Sequence, residues 1–166
     1  MENIHVGLLG LGTVGSGVYK LLDDHKQELE FQLGSKLIID KILVNSLEKE
    51  RVIDGRVLDR KLLTTNAEDI FANKDIQIVI EVIGGVDQAY NYMKQALKAS
   101  KSVITANKDV LALYGVELSD LATKNNCDIY YEASVGGGIP IIRSLTEGLA
   151  SDKITRILGI VNGTTN

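Results

Sequence analysis

Two groups of residues in this chain have the types and spacing for chemistry on a phosphate-bearing cofactor. Gly10, Gly12 and Gly15 stand in the spacing G-x-G-x-x-G directly behind the apolar run Ile4 to Leu9. In that pattern the first glycine lets the chain turn, the second lets the backbone approach a pyrophosphate, and the third lets helix and strand pack closely. A helix starting near Thr13 would point the free N–H groups of Thr13 and Val14, and its positive dipole end, at the anion, an effect of about 0.3–2 kcal/mol for a nearby charge. The second group is Thr105-Ala106-Asn107-Lys108 followed by Tyr131-Glu132-Ala133-Ser134-Val135-Gly136-Gly137-Gly138-Ile139-Pro140. By position alone Lys108 reads first as a solvated charge and only second as a functional one. The triple glycine and the proline behind it form a strand-end turn that can aim several backbone carbonyls into one small concavity. Between the two groups, Glu81-Val82-Ile83-Gly84-Gly85 ends an apolar strand in a glycine pair. Gly84 either lets the backbone pass close to the nicotinamide-side ribose or only turns strand into helix, and Glu81 is either exposed at the strand end or paired.

The elements that must position these residues are read from periodicity. Short runs rich in Ile and Val, at Asn3 to Leu9, Leu37 to Val44, Ile76 to Ile83, Ser102 to Thr105, Asp128 to Glu132 and Lys153 to Val161, alternate with helical patterns. The helices are expected at Thr13 to Glu30, Asn66 to Asn73, Val86 to Ala99, Tyr114 to Asn125 and Ile139 to Leu149. Asn45 to Thr65 reads as an excursion with a weak strand near Leu62 to Thr64. This alternation predicts an α/β fold, a doubly wound, mostly parallel Rossmann-type sheet with helices on both faces. The right-handed crossover rule makes 3-2-1-4-5-6 the expected strand order, with a ligand crevice at the carboxyl ends of the strands.

Composition narrows the function. The chain has 166 residues, 45% of them hydrophobic, enough for one domain with a core of its own. A net charge of −4 and 5% aromatic residues leave no basic stripe, so no nucleic-acid partner is expected. No segment has the length of a membrane span or the form of a secretory leader. The single Cys127 reads as a buried, inert thiol, and the expected compartment is the cytoplasm. His5 and His25 lack partners at metal-ligand spacing.

Cofactor choice is read at the tip of the second strand. A carboxylate about 20 residues past the glycines normally accepts the ribose 2′-hydroxyl of NAD. Here the tip is Val44-Asn45-Ser46, with Asp40 inside the strand and Lys49 and Arg51 close behind. A neutral Asn45 does not repel a 2′-phosphate, so the reading leans to NADP over NAD.

Taken together and in this order, the glycine loop, Glu81 to Gly85, Thr105 to Lys108, Glu132 to Pro140 and Asn162-Gly163-Thr164-Thr165-Asn166 resemble the motifs of homoserine dehydrogenase over essentially the whole chain. The resemblance implies NAD(P)-dependent hydride transfer between L-homoserine and L-aspartate 4-semialdehyde, on the route to threonine and methionine. It implies cofactor contacts at Gly10, Gly12, Thr13, Val14, Gly15, Asn45, Gly84, Thr105 and Lys108, with Lys108 beside nicotinamide and substrate as the catalytic residue. It further implies a monovalent cation, sodium, on the carbonyls of Glu132, Val135, Gly137 and Ile139, and a homo-oligomeric full-length protein. On this reading residues 1–150 are the dinucleotide-binding domain, and residues 151–166 begin a substrate domain absent from this chain. The alternatives are another Rossmann oxidoreductase acting on an aspartate-derived substrate, and a binding module that senses the dinucleotide without catalysis. An acylating semialdehyde dehydrogenase needs a nucleophilic cysteine, for which Cys127 is badly placed.

Overall fold

Branched apolar runs pair into one parallel sheet in the computed structural model, which describes residues 3–159. The elements in chain order are β1 (Ile4–Leu9), α1 (Thr13–Asp24), α2 (Lys26–Leu33), β2 (Leu37–Leu43), β3 (Val52–Ile53), β4 (Arg56–Val57), a 3-10 turn (Arg60–Leu62) and β5 (Leu63–Thr64). They continue with α3 (Glu68–Phe71), β6 (Ile76–Glu81), α4 (Asp87–Lys98), β7 (Ser102–Thr105), α5 (Lys108–Lys124), β8 (Ile129–Tyr130), a second 3-10 turn (Glu132–Ser134) and α6 (Ile141–Arg143), which runs into one π turn (Ser144–Gly148). The six-stranded sheet has the order β5-β2-β1-β6-β7-β8 and every neighbouring pair is parallel. Counting only its strands, that is 3-2-1-4-5-6, the expected doubly wound arrangement.

Side-chain alternation along each strand builds two cores, one on each face. Leu9, Val79 and Val103 face Met93, Ala96 and Leu97 of α4 and Leu118 and Ala122 of α5. Val6, Leu8 and Ile80 face the opposite way, toward Val18, Tyr19 and Leu22 of α1. Cys127 is half-buried beside the first core, its Sγ 3.6 Å from the Ala122 carbonyl, and burial pushes its thiol pKa up. That environment keeps the thiol protonated and inert.

Several expected elements differ. The helix after the glycine loop breaks at His25 into α1 and α2, and α2 has no fully buried residue. The helix expected from Tyr114 begins instead at Lys108, capped by Asn107, whose Oδ1 accepts the Val110 amide at 3.2 Å. Asn66 to Asn73 shortens to α3. Ile139 to Leu149 forms only α6 and the π turn, with no side chain buried in either. The strand expected at Lys153 to Val161 is not formed over residues 153–159, which carry no regular structure, and its last two residues lie outside the described ones. Asn45 to Thr65 contains the antiparallel pair β3–β4 as well as β5, which occupies part of the expected Leu62 to Thr64 strand.

Candidate functional site

The glycine loop sits between β1 and α1, at the carboxyl edge of the central strand. Gly10 turns the chain at φ 100°, and its amide donates to the Leu43 carbonyl at 3.0 Å. A Cβ on Gly15 would stand 2.1 Å from the Gly10 carbonyl oxygen, so α1 reaches the strand only because that atom is missing. A Cβ on Gly12 would meet nothing within 4 Å. Its space is open, as a cradle for a phosphate must be. Gly12 is also the N-cap of α1 and supplies no capping side chain, and the first turn of the helix holds no acidic residue. The amide end of α1 is therefore neutralised by neither, and it faces the open space over Gly12.

Two clefts flank this loop. The upper one, about 470 Å³, is lined by Gly10, Gly12, Val44, Asn45, Arg51 and Ile83 among others. Asn45 is exposed at the tip of β2, where an NAD-selective site of this fold would carry a carboxylate. Asp40 is spent elsewhere, its Oδ2 2.9 Å from His5 Nδ1 across the β1–β2 pair. Arg51 reaches the cleft from the start of the β3–β4 excursion; Lys49 is not among the lining residues. The Arg51 Nε is buried and has no hydrogen-bond partner among the described residues. The excursion is tied to α1 by the Lys20–Asp54 pair and by Arg56 Nη1 on Asp23 at 3.1 Å, and its chain returns through the Leu58 amide on the Arg51 carbonyl at 2.8 Å.

The lower cleft, about 330 Å³, gathers Val14, Glu81, Gly84, Asn107, Lys108 and Ser134. Segments far apart in sequence meet there because β6, β7 and β8 are neighbours and all end on the same edge. Gly84 and Gly85 both hold positive φ, 76° and 74°, which turns the chain sharply out of β6. Glu81 is fully buried. Its Oε1 accepts the Ile83 amide at 2.9 Å, and its Oε2 accepts the Thr105 hydroxyl at 2.7 Å. Thr105 is itself buried, so it reaches the cleft only through this bond and the Asn107 amide it accepts at 3.0 Å. Lys108 opens α5 with its side chain 77% exposed, its Nζ 3.7 Å from Asp109 Oδ1.

The carbonyl-rich turn lies beyond β8. The Glu132 carboxylate accepts the amides of Ile142 at 2.9 Å and Arg143 at 2.8 Å, folding α6 back onto the turn. Desolvation pushes the Glu132 pKa up, but the amides of Arg143, Ile142 and Ile141 and the Arg143 charge outweigh it and hold the carboxyl below its ordinary value. The Glu132 carbonyl accepts the Val135 amide at 3.1 Å, and the Ile139 carbonyl accepts the Ile141 amide at 2.9 Å. The carbonyls of Val135 and Gly137 take no part in the backbone hydrogen bonds of this turn among the described residues. No group of three His, Cys, Asp or Glu side chains with metal-binding geometry occurs among the described residues, and none of their helices is long and apolar enough to cross a membrane. Asn162 to Asn166, the last of the recognised motifs, lies outside the described residues.

The sequence-predicted residues thus fall on both clefts, but Thr65, Gln88 and Tyr92 on the wall of the upper one were not foreseen, nor was how the walls of the lower one are joined. Sequence reasoning left Glu81 open and overlooked Asn107 as a cap, although Asn followed by Asp109 and an apolar Val110-Leu111 pair is a helix-start signal.

Comparison with known proteins agrees with this geometry. Residues 10–132 match the family model described as homoserine dehydrogenase, NAD binding domain. The chain is 55% identical over 166 residues to a homoserine dehydrogenase of Bacillus subtilis, covering 100% of this chain and 38% of the relative. It is 43% identical to that of Lactococcus lactis, covering 98% of this chain and 38% of the relative. The crystal structure of a homoserine dehydrogenase from Thiobacillus denitrificans superposes with a TM-score of 0.88 at 40% identity, covering 100% of this chain and 38% of that one. The chain therefore spans well under half the length of these relatives.

Proposed function

The chain belongs to the homoserine dehydrogenase family, of which it carries the NAD-binding domain, and on that premise we propose that it holds a nicotinamide dinucleotide, with NADP preferred, for the interconversion of L-homoserine and L-aspartate 4-semialdehyde. One observation carries the reading: motifs spread from Gly10 to Ser134 converge on two clefts at one edge of the sheet, joined through Val82. The space over Gly12 and the free amides of Thr13, Val14 and Gly15 fit a diphosphate. The bound nicotinamide supplies the hydride acceptor for oxidation of the alcohol. Lys108, on the facing wall with Gly84 and with Thr105 behind it, orients the hydroxyl oxygen and, as the neutral amine, takes its proton to become the ammonium. Binding of the dinucleotide is tested by calorimetry on Gly12→Val. NADPH affinity should fall by about 100-fold, the loss of one or two charge-assisted hydrogen bonds, with melting little changed because a Cβ at this position meets no protein atom within 4 Å. Unchanged affinity would overturn the assignment.

Preference for NADP is supported by the neutral Asn45 and by Arg51, both of which line the same cleft. A guanidinium suits a 2′-phosphate, whereas a carboxylate at the strand tip suits a free 2′-hydroxyl. Asn45→Asp should therefore lower the NADPH-to-NADH affinity ratio by about tenfold, or about 1.4 kcal/mol, and Arg51→Ala should lower it as well. Equal ratios in all three proteins would remove both residues from the ribose.

The proposal extends to a sodium-type cation on the carbonyls of Glu132, Val135, Gly137 and Ile139. Neutral oxygen donors suit a hard, singly charged ion, and the free carbonyls of Val135 and Gly137 support the site. Exchange of sodium for the larger caesium should lower thermal stability of the Glu132 to Gly148 segment, read by amide exchange at Ile142 and Arg143; indifference to the ion would reject it. The working form is proposed as a cytoplasmic homo-oligomer. Leu113 and Val116, apolar yet 65% and 80% exposed on α5, support an assembled state.

A further inference from the structure

Glu81 is a fully buried carboxylate at the floor of the lower cleft, and the chemistry derived above gives it no proton to move. Its surroundings dictate hydrogen-bond polarity. The Ile83 amide can only donate, and it points at Oε1. The Thr105 hydroxyl accepts the Asn107 amide and so directs its own proton onto Oε2. The site thus presents two donors to one side chain, and a carboxylate satisfies both where an amide, with one oxygen, satisfies only one. The chain of bonds does not stop there. Asn107 Nδ2 donates to the Gly85 carbonyl at 2.6 Å, while its Oδ1 caps α5 through the Val110 amide. Starting at Ile83 and ending at Gly85, the path closes on the turn where it began.

We propose that Glu81 is a positioning residue: its carboxylate, through Thr105 and Asn107, locks the β6–α4 turn to the β7–α5 turn and so sets Lys108, the first residue of α5, against the substrate oxygen. The inference rests on the lower cleft being the hydride-transfer site. It explains why a charge is tolerated in a strand flanked on both sides by other strands. Burying a carboxylate costs free energy unless donors meet both oxygens, and here they do.

The test uses the full-length protein with Glu81→Gln, Thr105→Val and Thr105→Ser. Glutamine sets its amide against one of the two donors, valine deletes the hydroxyl, and serine keeps it. Glu81→Gln and Thr105→Val should each lower kcat by about 100-fold, the scale of a misplacement of about 1 Å, while the NADPH Kd and the homoserine KM stay within about threefold. Amide hydrogen exchange at Asn107 and Ile83 should rise about tenfold in both, as local opening becomes easier. Thr105→Ser should remain near wild type. A Glu81→Gln protein with unchanged kcat, or one losing kcat, cofactor affinity and melting temperature together, would overturn the proposal. Should Glu81→Gln fail to fold, the Thr105 pair decides, and equal turnover of the valine and serine proteins counts against it. If the wild-type protein shows no homoserine-dependent NADPH formation, the functional reading fails, and amide exchange at Asn107 and Ile83 still decides whether Glu81 forms the lock.

Discussion

Replacing Lys108 with alanine in the full-length protein should lower homoserine turnover by about 10²–10⁴-fold, the range for a group that manages a proton in the transition state, while NADPH affinity changes by less than about threefold. The split follows from where the residue stands. Lys108 is on the wall of the lower cleft, whereas Gly10 and Gly12 of the proposed phosphate cradle line the upper one, and of the first turn of α1 only Val14 lines the lower cleft. Its side chain is held by little beyond a 3.7 Å approach to Asp109, with 77% of its surface exposed. Its removal therefore leaves no cavity and should not disturb melting. Steady-state kinetics beside calorimetry on one preparation checks both halves. Loss of cofactor affinity in step with turnover would move Lys108 from the chemistry to the binding of the dinucleotide.

The 166 residues alone should bind NADPH but oxidise homoserine at least about 100-fold more slowly than the same chain joined to the further length its relatives possess. The clefts supply a place for the dinucleotide and one lysine. Rate also depends on holding the alcohol in near-attack geometry, where a displacement of about 1 Å costs about 100-fold. Among the described residues the lower cleft is shallow and open, walled by the turns after β6, β7 and β8. The comparison is direct: NADPH formation by the chain alone, against the chain fused to the remaining portion of the Bacillus subtilis relative. Comparable rates would place the whole reaction within these residues. Binding without turnover in both would favour a dinucleotide-sensing module instead.

Much of this arrangement was legible before any coordinates because it depends on local pattern. Runs such as Ile76 to Ile83 are too apolar for a half-exposed strand, so they had to be central in a parallel sheet, and the crossover rule then left one leading order. Gly10, Gly12 and Gly15 are legible for a related reason, since each does its work by lacking atoms, which a sequence states outright. The illegible parts depend on contacts across the fold. Glu81 in an apolar strand has the same local signature whether exposed or buried, and only its distance to Thr105, 24 residues on, resolves it. Ile139 to Leu149 has the composition of a helix, yet with no partner among the described residues to bury its apolar side it forms only short turns.

The clefts share a single lining residue, Val82. Asn45 and Arg51, proposed for the ribose end, belong to one; Glu81, Asn107 and Lys108 belong to the other. On the proposed reading, substitutions that redirect the protein from one cellular reductant pool to the other fall on a different set of side chains from those that set its turnover. On that reading a lineage, or an engineer, exchanges the reductant without touching Glu81, Asn107 or Lys108, and the shared position to leave untouched is Val82.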